Sequence, residues 1–175
     1  MKLAAMTTVN MPQRDQIACK MHVGFTKCRE GARLPTQSHH GEDIGFDIYS
    51  AISCQIPPFG TEKIDTGLAF AFRPDPPGIS SLLTPFFKIE GRSGLAAQGI
   101  FPVGGILDLG YRGEISAIIH NSTSEPWNVE IGDRIAQLVC YLTFTNANGI
   151  LMNFYEAHEQ EESRRGSGGF GSTGV

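Results

Sequence analysis

Arg134-Ile135-Ala136-Gln137-Leu138-Val139-Cys140-Tyr141-Leu142-Thr143-Phe144 follows a Gly132-Asp133 turn signal and is apolar over most of its length, interrupted by Gln137. It reads as a strand bound for a core, because such a run, bounded by turn residues, suits a buried strand. Working outward from it, shorter runs repeat the pattern. Met21, Val23 and Phe25 alternate with His22 and Gly24, and Ile52, Cys54 and Ile56 alternate before Pro57-Pro58 stops the run. Leu68 to Phe72 and Glu114 to Ile119 read as further strands, and Pro85-Phe86-Phe87 leads into another ending at Glu90. Turn signals separate these runs at short intervals. The expected fold is therefore all-β, a jelly-roll-like sandwich or barrel. One short helix is expected over Ser93-Gly94-Leu95-Ala96-Ala97-Gln98, with Ser93 at the capping position and Gly99 as the stop.

The chain has 175 residues, a length for one domain with a core of its own, and its 21 Gly and 10 Pro suit many turns. Three regions are expected: an N-terminal extension over 1–16 without order, a β domain over 17–160, and a Gly-rich tail over 161–175 that stays mobile when the protein is empty. A Pro-rich loop is expected over 73–84. The net charge of -4 argues against nucleic acid as a partner, since sequence-blind binding rests on many Lys and Arg contacts to phosphate. No stretch has the length and apolarity of a membrane span or the pattern of a signal peptide, so an intracellular protein is expected. Cys19, Cys28, Cys54 and Cys140 show no close ligand spacing and read as buried free thiols.

Four segments could carry chemistry. Gly91-Arg92-Ser93-Gly94 opens the short helix; it is either an ordinary capped helix or a phosphate cradle of backbone N–H groups helped by Arg92 and Ser93. In Gly104-Gly105-Ile106-Leu107-Asp108-Leu109-Gly110-Tyr111-Arg112-Gly113, glycines bracket an Asp and a Tyr in an apparent hairpin. The glycines serve the turns, or they let a ligand approach the backbone while Asp108 acts as a general base on water. Gln137 is a polar residue in an apolar strand and must find partners, within the fold or on a ligand. The tail, Arg165-Gly166-Ser167-Gly168-Gly169-Phe170-Gly171-Ser172-Thr173-Gly174, is a low-complexity end, an RNA-binding segment, or a flap whose N–H groups form an anion nest beside Arg165 and Phe170. No Gly-x-x-x-x-Gly-Lys followed by Ser or Thr occurs, which sets the chain apart from P-loop motors and kinases.

Taken in order, these segments resemble the trimeric dUTPase family, which is defined by five short motifs. Gly45-Phe46-Asp47-Ile48-Tyr49-Ser50-Ala51 is similar to the first, Gly91 to Ala96 to the second, Gly105 to Gly113 to the third, Gly132 to Leu138 to the fourth, and Arg165 to Gly174 to the fifth. Departures are Gly91 in place of a proline, Gly110 in place of an acidic residue, Ile44 in place of a small one and Ser163 in place of a threonine.

The resemblance implies a homotrimer with active sites shared between chains, and hydrolysis of dUTP to dUMP and pyrophosphate by water attack on the α-phosphate. It implies Asp108 as the base and magnesium on the substrate phosphates, met by Asp47 through water. Arg92, Ser93, Gly94 and Gln137 would bind phosphate oxygens. Backbone at Gly105 and Ile106 would read uracil, and Tyr111 would pack on the deoxyribose. Phe170 would stack on the base while Arg165, Gly171, Ser172 and Thr173 close over the phosphates. Two other readings remain at this point: a regulatory module of the same fold that binds a protein partner, and a deoxycytidine triphosphate deaminase, for which no acid/base residue is evident at the exocyclic amine.

Overall fold

The computed structural model describes residues 22–40, 42–71, 83–108 and 110–144. The N-terminal extension, the strand start at Met21, most of the Pro-rich loop and the tail with Arg165, Phe170, Gly171, Ser172 and Thr173 lie outside the described residues. In chain order the strands are β1 (Phe25–Lys27), β2 (Phe46–Tyr49), β3 (Cys54–Ile56), β4 (Thr61–Asp65), β5 (Leu68–Phe70) and β6 (Leu83–Glu90). After the helix α1 (Ser93–Ala96) come β7 (Ile100–Pro102), β8 (Ile106–Leu107), β9 (Ser116–Asn121), β10 (Trp127–Val129) and β11 (Arg134–Phe144).

β11, the stretch on which the reading began, lies inside the sheet β2-β11-β6-β8, and a second sheet runs β4-β9-β7. The pairs β1-β5 and β10-β3 complete the described strands, with antiparallel pairing throughout. All four groups feed one apolar cluster that includes Ile48, Ile64, Phe70, Phe87, Ile119 and Ile135. This is the expected all-β, jelly-roll architecture with one short helix.

Alternation explains the layering. Along β6, Pro85, Phe87 and Ile89 are buried while Phe86, Lys88 and Glu90 are half-exposed; along β9, Ala117, Ile119 and Asn121 turn inward. β11 breaks the period once. A register shift between Arg134 and Ala136 against β2 lets the consecutive Ile135 and Ala136 both be buried, as a bulge allows. That irregularity accounts for the adjacent apolar pair Ile135-Ala136, one of which a strict alternation would expose. The Phe70 ring packs against Phe25 at 5.5 Å and Phe87 at 5.4 Å between centroids, tying β1-β5 to the larger sheet. Fully burying side chains of this size contributes about 1.5–3 kcal/mol each.

Asn121 is the polar exception in the core, at 0% exposure. Its amide N–H donates to the carbonyls of Ile56, Pro57 and Glu125, and its carbonyl accepts from Thr123, so the desolvated group is satisfied.

Two expectations change. The described cysteines are free, but Cys54 and Cys140 are only half-buried and Cys28, in the turn that follows β1, is exposed. The segment at Gly104–Gly113 is not a hairpin closing on itself: β8 pairs with β6, through Phe87↔Leu107 and Lys88↔Ile106, while the chain after it continues into β9, which pairs with β4 and β7. Sequence spacing shows that a strand and a turn are present, but the long-range partner is chosen by the core.

Candidate active site

Asp47, on β2, is 5% exposed and holds two arginines. Arg92 Nε donates to Asp47 Oδ1 at 2.9 Å, and Arg134 Nη1 to Asp47 Oδ2 at 3.3 Å. Arg92 Nη1 also reaches the Arg134 carbonyl at 3.3 Å. A buried carboxylate needs such compensation. Backbone pairing places Asp47 beside Gln137 on β11, and Gln137 beside Glu90 on β6. The Gln137 side chain lies on Gly45: a Cβ built there would stand 3.0 Å from Gln137 Cδ and 3.0 Å from Oε1. The Gln137 amide is not among the buried groups lacking a partner, and it is half-exposed, so it can serve a ligand.

Arg92 also starts α1. It is the residue at the capping position, extended at φ -86 and ψ 129, and it makes no side-chain cap. This corrects the expectation for Ser93, which is the first helical residue instead. A residue already in helical conformation cannot cap from outside, and Ser93 is exposed. Gly94 is exposed with nothing within 4 Å of where a Cβ would be, so its backbone is open to approach. Gly99, at φ +82, turns the chain after the helix as the sequence suggested.

The second group surrounds a cleft of about 280 Å³. Gly105, Ile106, Asp108 and Tyr111 line one side, and Lys63 and Ser116 contribute from β4 and β9. Gly105 has φ +127, and a Cβ there would lie 2.9 Å from Ile89 Cβ, so glycine is required both by conformation and by space. Its carbonyl accepts from the Ile89 N–H at 2.8 Å. Asp108 is exposed, and its carbonyl accepts from the Tyr111 N–H at 2.9 Å, closing a turn. The Tyr111 phenol folds back over Gly113, where any side chain would collide with it, and its hydroxyl donates to the Glu114 carbonyl at 3.1 Å.

Four polar residues at these two places were not singled out as ligands by sequence. Arg134 reads only as the first residue of the strand run, yet it sits on Asp47. Lys63 and Ser116 line the cleft, and Glu114 supports it. The available signal was the Lys63, Asp65 pair, since residues two apart in a strand share a face. Asp65 accepts from Lys63 Nζ at 2.7 Å, Ser116 Oγ at 2.7 Å and Arg29 Nη2 at 2.7 Å. Burial acts to raise the Asp65 pKa, but the hydrogen bonds from Lys63 and Ser116 and the two nearby cations outweigh it and hold it below its ordinary value. The hydrogen bond to Asp65 raises the Lys63 pKa.

The structure thus gathers the sequence-expected residues into two groups. Asp47, Arg92 and Gln137 share one, with Ser93 and Gly94 following Arg92; Gly105, Ile106, Asp108 and Tyr111 share the other. The lining of the cleft includes none of the first group. Among the described residues, no cluster of three or more His, Cys, Asp or Glu is placed to hold a metal, and no helix is long and apolar enough to cross a membrane.

The family profile described as dUTPase matches residues 31–174. The human mitochondrial deoxyuridine 5'-triphosphate nucleotidohydrolase is 36% identical over 155 residues, 88% of this chain and 55% of its own length, so the chain spans about half of that relative. The Yarrowia lipolytica enzyme of the same name is 35% identical over 83% of this chain and 85% of its own length. Among solved structures, the Staphylococcus bacteriophage 80alpha dUTPase with dUPNHPP aligns at a TM-score of 0.69 and 24% identity, over 88% of this chain and 99% of that one. A variant dUTPase of the S. aureus phage phi11, described as coordinating a structural Mg(II) ion, aligns at 0.61 and 21% identity over 79% of this chain and 97% of that one. These two likenesses bear on the fold, and the sequence relatives carry the family: this chain belongs to the dUTPase family.

Proposed function

We propose that this protein hydrolyses dUTP to dUMP and pyrophosphate, keeping uracil out of DNA and supplying dUMP. The observation that carries the reading is the cleft lined together by the exposed Asp108, by Tyr111 and by the chain at Gly105 and Ile106. A pyrimidine edge would meet the Gly105 and Ile106 backbone, and the sugar would rest on Tyr111, leaving no room for a 2′-hydroxyl. Asp108 would take a proton from water as the water oxygen attacks the α-phosphorus; the bond to the bridging oxygen breaks and pyrophosphate leaves.

Arg92, Ser93, Gly94 and Gln137 would bind phosphate oxygens. In a single chain they lie outside the cleft, which supports a homotrimer in which one chain's phosphate-binding group completes a neighbour's cleft. The tail would close such a site, with Phe170 on the base and Arg165, Gly171, Ser172 and Thr173 on the phosphates.

Both oxygens of Asp47 are taken by guanidiniums, and the described residues offer no cage of acidic or imidazole ligands. Magnesium would therefore be held by the substrate's phosphates and water, and Asp47, occupied by two arginines, would act on that hydrated site chiefly by ordering the loop and the cations beside it. When bound, the ion offsets the charge of the triphosphate. We place the protein inside the cell with its nucleotide substrate.

The test is pyrophosphate release from dUTP with magnesium, beside dTTP, dCTP and UTP. Release from dUTP alone is expected; equal release from UTP would overturn the reading of Tyr111, and none from any nucleotide would overturn the activity. Truncation after Arg164 should abolish most turnover while the fold persists, and sedimentation should give a trimer; a fully active monomer would contradict the shared site.

A further inference from the structure

Tyr111 is held by its hydroxyl, and what holds the acceptor is a bracket that neither the motifs nor the reaction calls for. The Tyr111 hydroxyl donates to the backbone carbonyl of Glu114 at 3.1 Å. The Glu114 side chain is gripped in turn by Arg29, through Nε to Oε1 at 2.6 Å and Nη2 to Oε2 at 2.8 Å, while Oε1 also accepts the Gly67 N–H at 3.0 Å. Arg29 Nη2 reaches Asp65 Oδ2 at 2.7 Å as well, and Asp65 holds Lys63 and Ser116, both in the cleft wall.

Arg29 is brought there by the chain that precedes it. β1 pairs with β5, the Cys28 N–H donates to the Gly67 carbonyl at 2.7 Å, and the turn that follows presents the guanidinium to both carboxylates. A planar guanidinium can meet a carboxylate through two parallel bonds and still reach a third oxygen, which an ammonium cannot do at one geometry.

We propose that Arg29 is a positioning residue for sugar discrimination: through Glu114 it fixes the acceptor that holds Tyr111 at the cleft. This rests on the reading of Tyr111 as the sugar platform. A ring that excludes a 2′-hydroxyl by contact must be stiff, because a platform free to swing admits the extra oxygen. Losing the bracket therefore loosens selection between dUTP and UTP more than it slows turnover of dUTP.

The experiment measures kcat and KM for dUTP and UTP in the full chain and in Arg29→Ala, Arg29→Lys, Tyr111→Ala, Tyr111→Phe and the double variant Arg29→Ala/Tyr111→Phe, with thermal melts of each. Arg29→Ala should lower the dUTP-to-UTP ratio of kcat/KM by about tenfold, chiefly by raising KM for dUTP and lowering it for UTP. Arg29→Lys should restore part of the ratio. Tyr111→Phe cuts the tether itself, so adding Arg29→Ala to it should change the ratio no further, whereas a general loss of stability would add. An unchanged ratio in folded Arg29→Ala, with Tyr111→Ala lowering it, would overturn the bracket and leave the platform standing. An unchanged ratio in Tyr111→Ala would overturn the platform and the bracket together. Should Arg29→Ala fail to fold, Glu114→Gln, which keeps the side chain's size, takes its place with the same expected and overturning results.

Discussion

Arg92 Nε lies 2.9 Å from Asp47 Oδ1, and this contact ties the start of α1, which follows β6, to β2 across the intervening strand, β11. The same carboxylate holds Arg134 through its other oxygen, so one buried anion sets the direction of two cations. Asp47→Asn keeps the shape and removes the charge. The amide can still accept on one side, but its NH2 faces a guanidinium. We expect stability to fall by about 1–3 kcal/mol, as for a buried charged hydrogen bond left unmade. The KM for dUTP should rise as well, because Arg92 loses its aim. Urea melts and steady-state kinetics check both; a variant with normal KM would separate Asp47 from phosphate binding.

Gly45 tests Gln137 without touching it. Gly45→Ala places a methyl 3.0 Å from the Gln137 Cδ and Oε1, and the flexible amide is what must give. Stability should change by less than about 1 kcal/mol, since the long side chain can shift at small cost. The KM for dUTP should rise roughly several-fold, the size of one ordinary hydrogen bond of about 1 kcal/mol weakened or lost. If KM stays normal while Gln137→Ala raises it, the amide tolerates displacement; if neither moves KM, Gln137 is a packing residue.

How much of this was legible in the sequence follows from which forces are local. The runs at Leu68–Phe70, Ser116–Asn121 and Arg134–Phe144 were readable because burial on one or both faces leaves a pattern in the residues themselves. β4, Thr61-Glu62-Lys63-Ile64-Asp65, was not: its first three residues are exposed, and it is a strand because β9 pairs along its length. β2 is legible as a motif and not as a strand, since its four residues are too few for a period. Gly105 was legible as a glycine the turn requires, and its positive φ and its packing against Ile89 show why. The bracket on Glu114 was not, because Arg29 and Glu114 are 85 positions apart and meet only through the β1-β5 pair.

Asp65 makes stability depend on acid. Its folded pKa is held below the ordinary carboxylate value of 3.8, so its contribution is fully present above that value and is lost as pH falls through the folded pKa. With Lys63 at 64% and Arg29 at 42% side-chain exposure, solvent screens the pairs, and the contribution is on the order of 1 kcal/mol. Asp65→Asn should therefore be less stable than the parent at about pH 7. As the pH falls through the folded pKa of Asp65, below its ordinary 3.8, the difference should shrink, because the parent then loses the same charge. A constant difference across the range would assign the stabilisation to packing.

Asp108→Asn decides whether the cleft does chemistry or only binds. The side chain is exposed on the cleft wall, so the substitution should leave the fold intact and the unfolding free energy within about 0.5 kcal/mol of the parent, as for surface changes. An amide is isosteric but cannot take a proton from water. If Asp108 is the base, kcat should fall by a factor on the order of 10²–10⁴, the range for loss of a general base. The Kd for a non-hydrolysable dUTP analogue should stay nearly unchanged or improve, because one negative charge near the phosphates is gone. Paired measurement of kcat and analogue Kd separates the cases. A fall in kcat with intact binding leaves Asp108 as the base. Equal losses in both would make it a binding residue, and a near-normal kcat would send the search for the base to Glu114, the other carboxylate among the described residues that line the cleft.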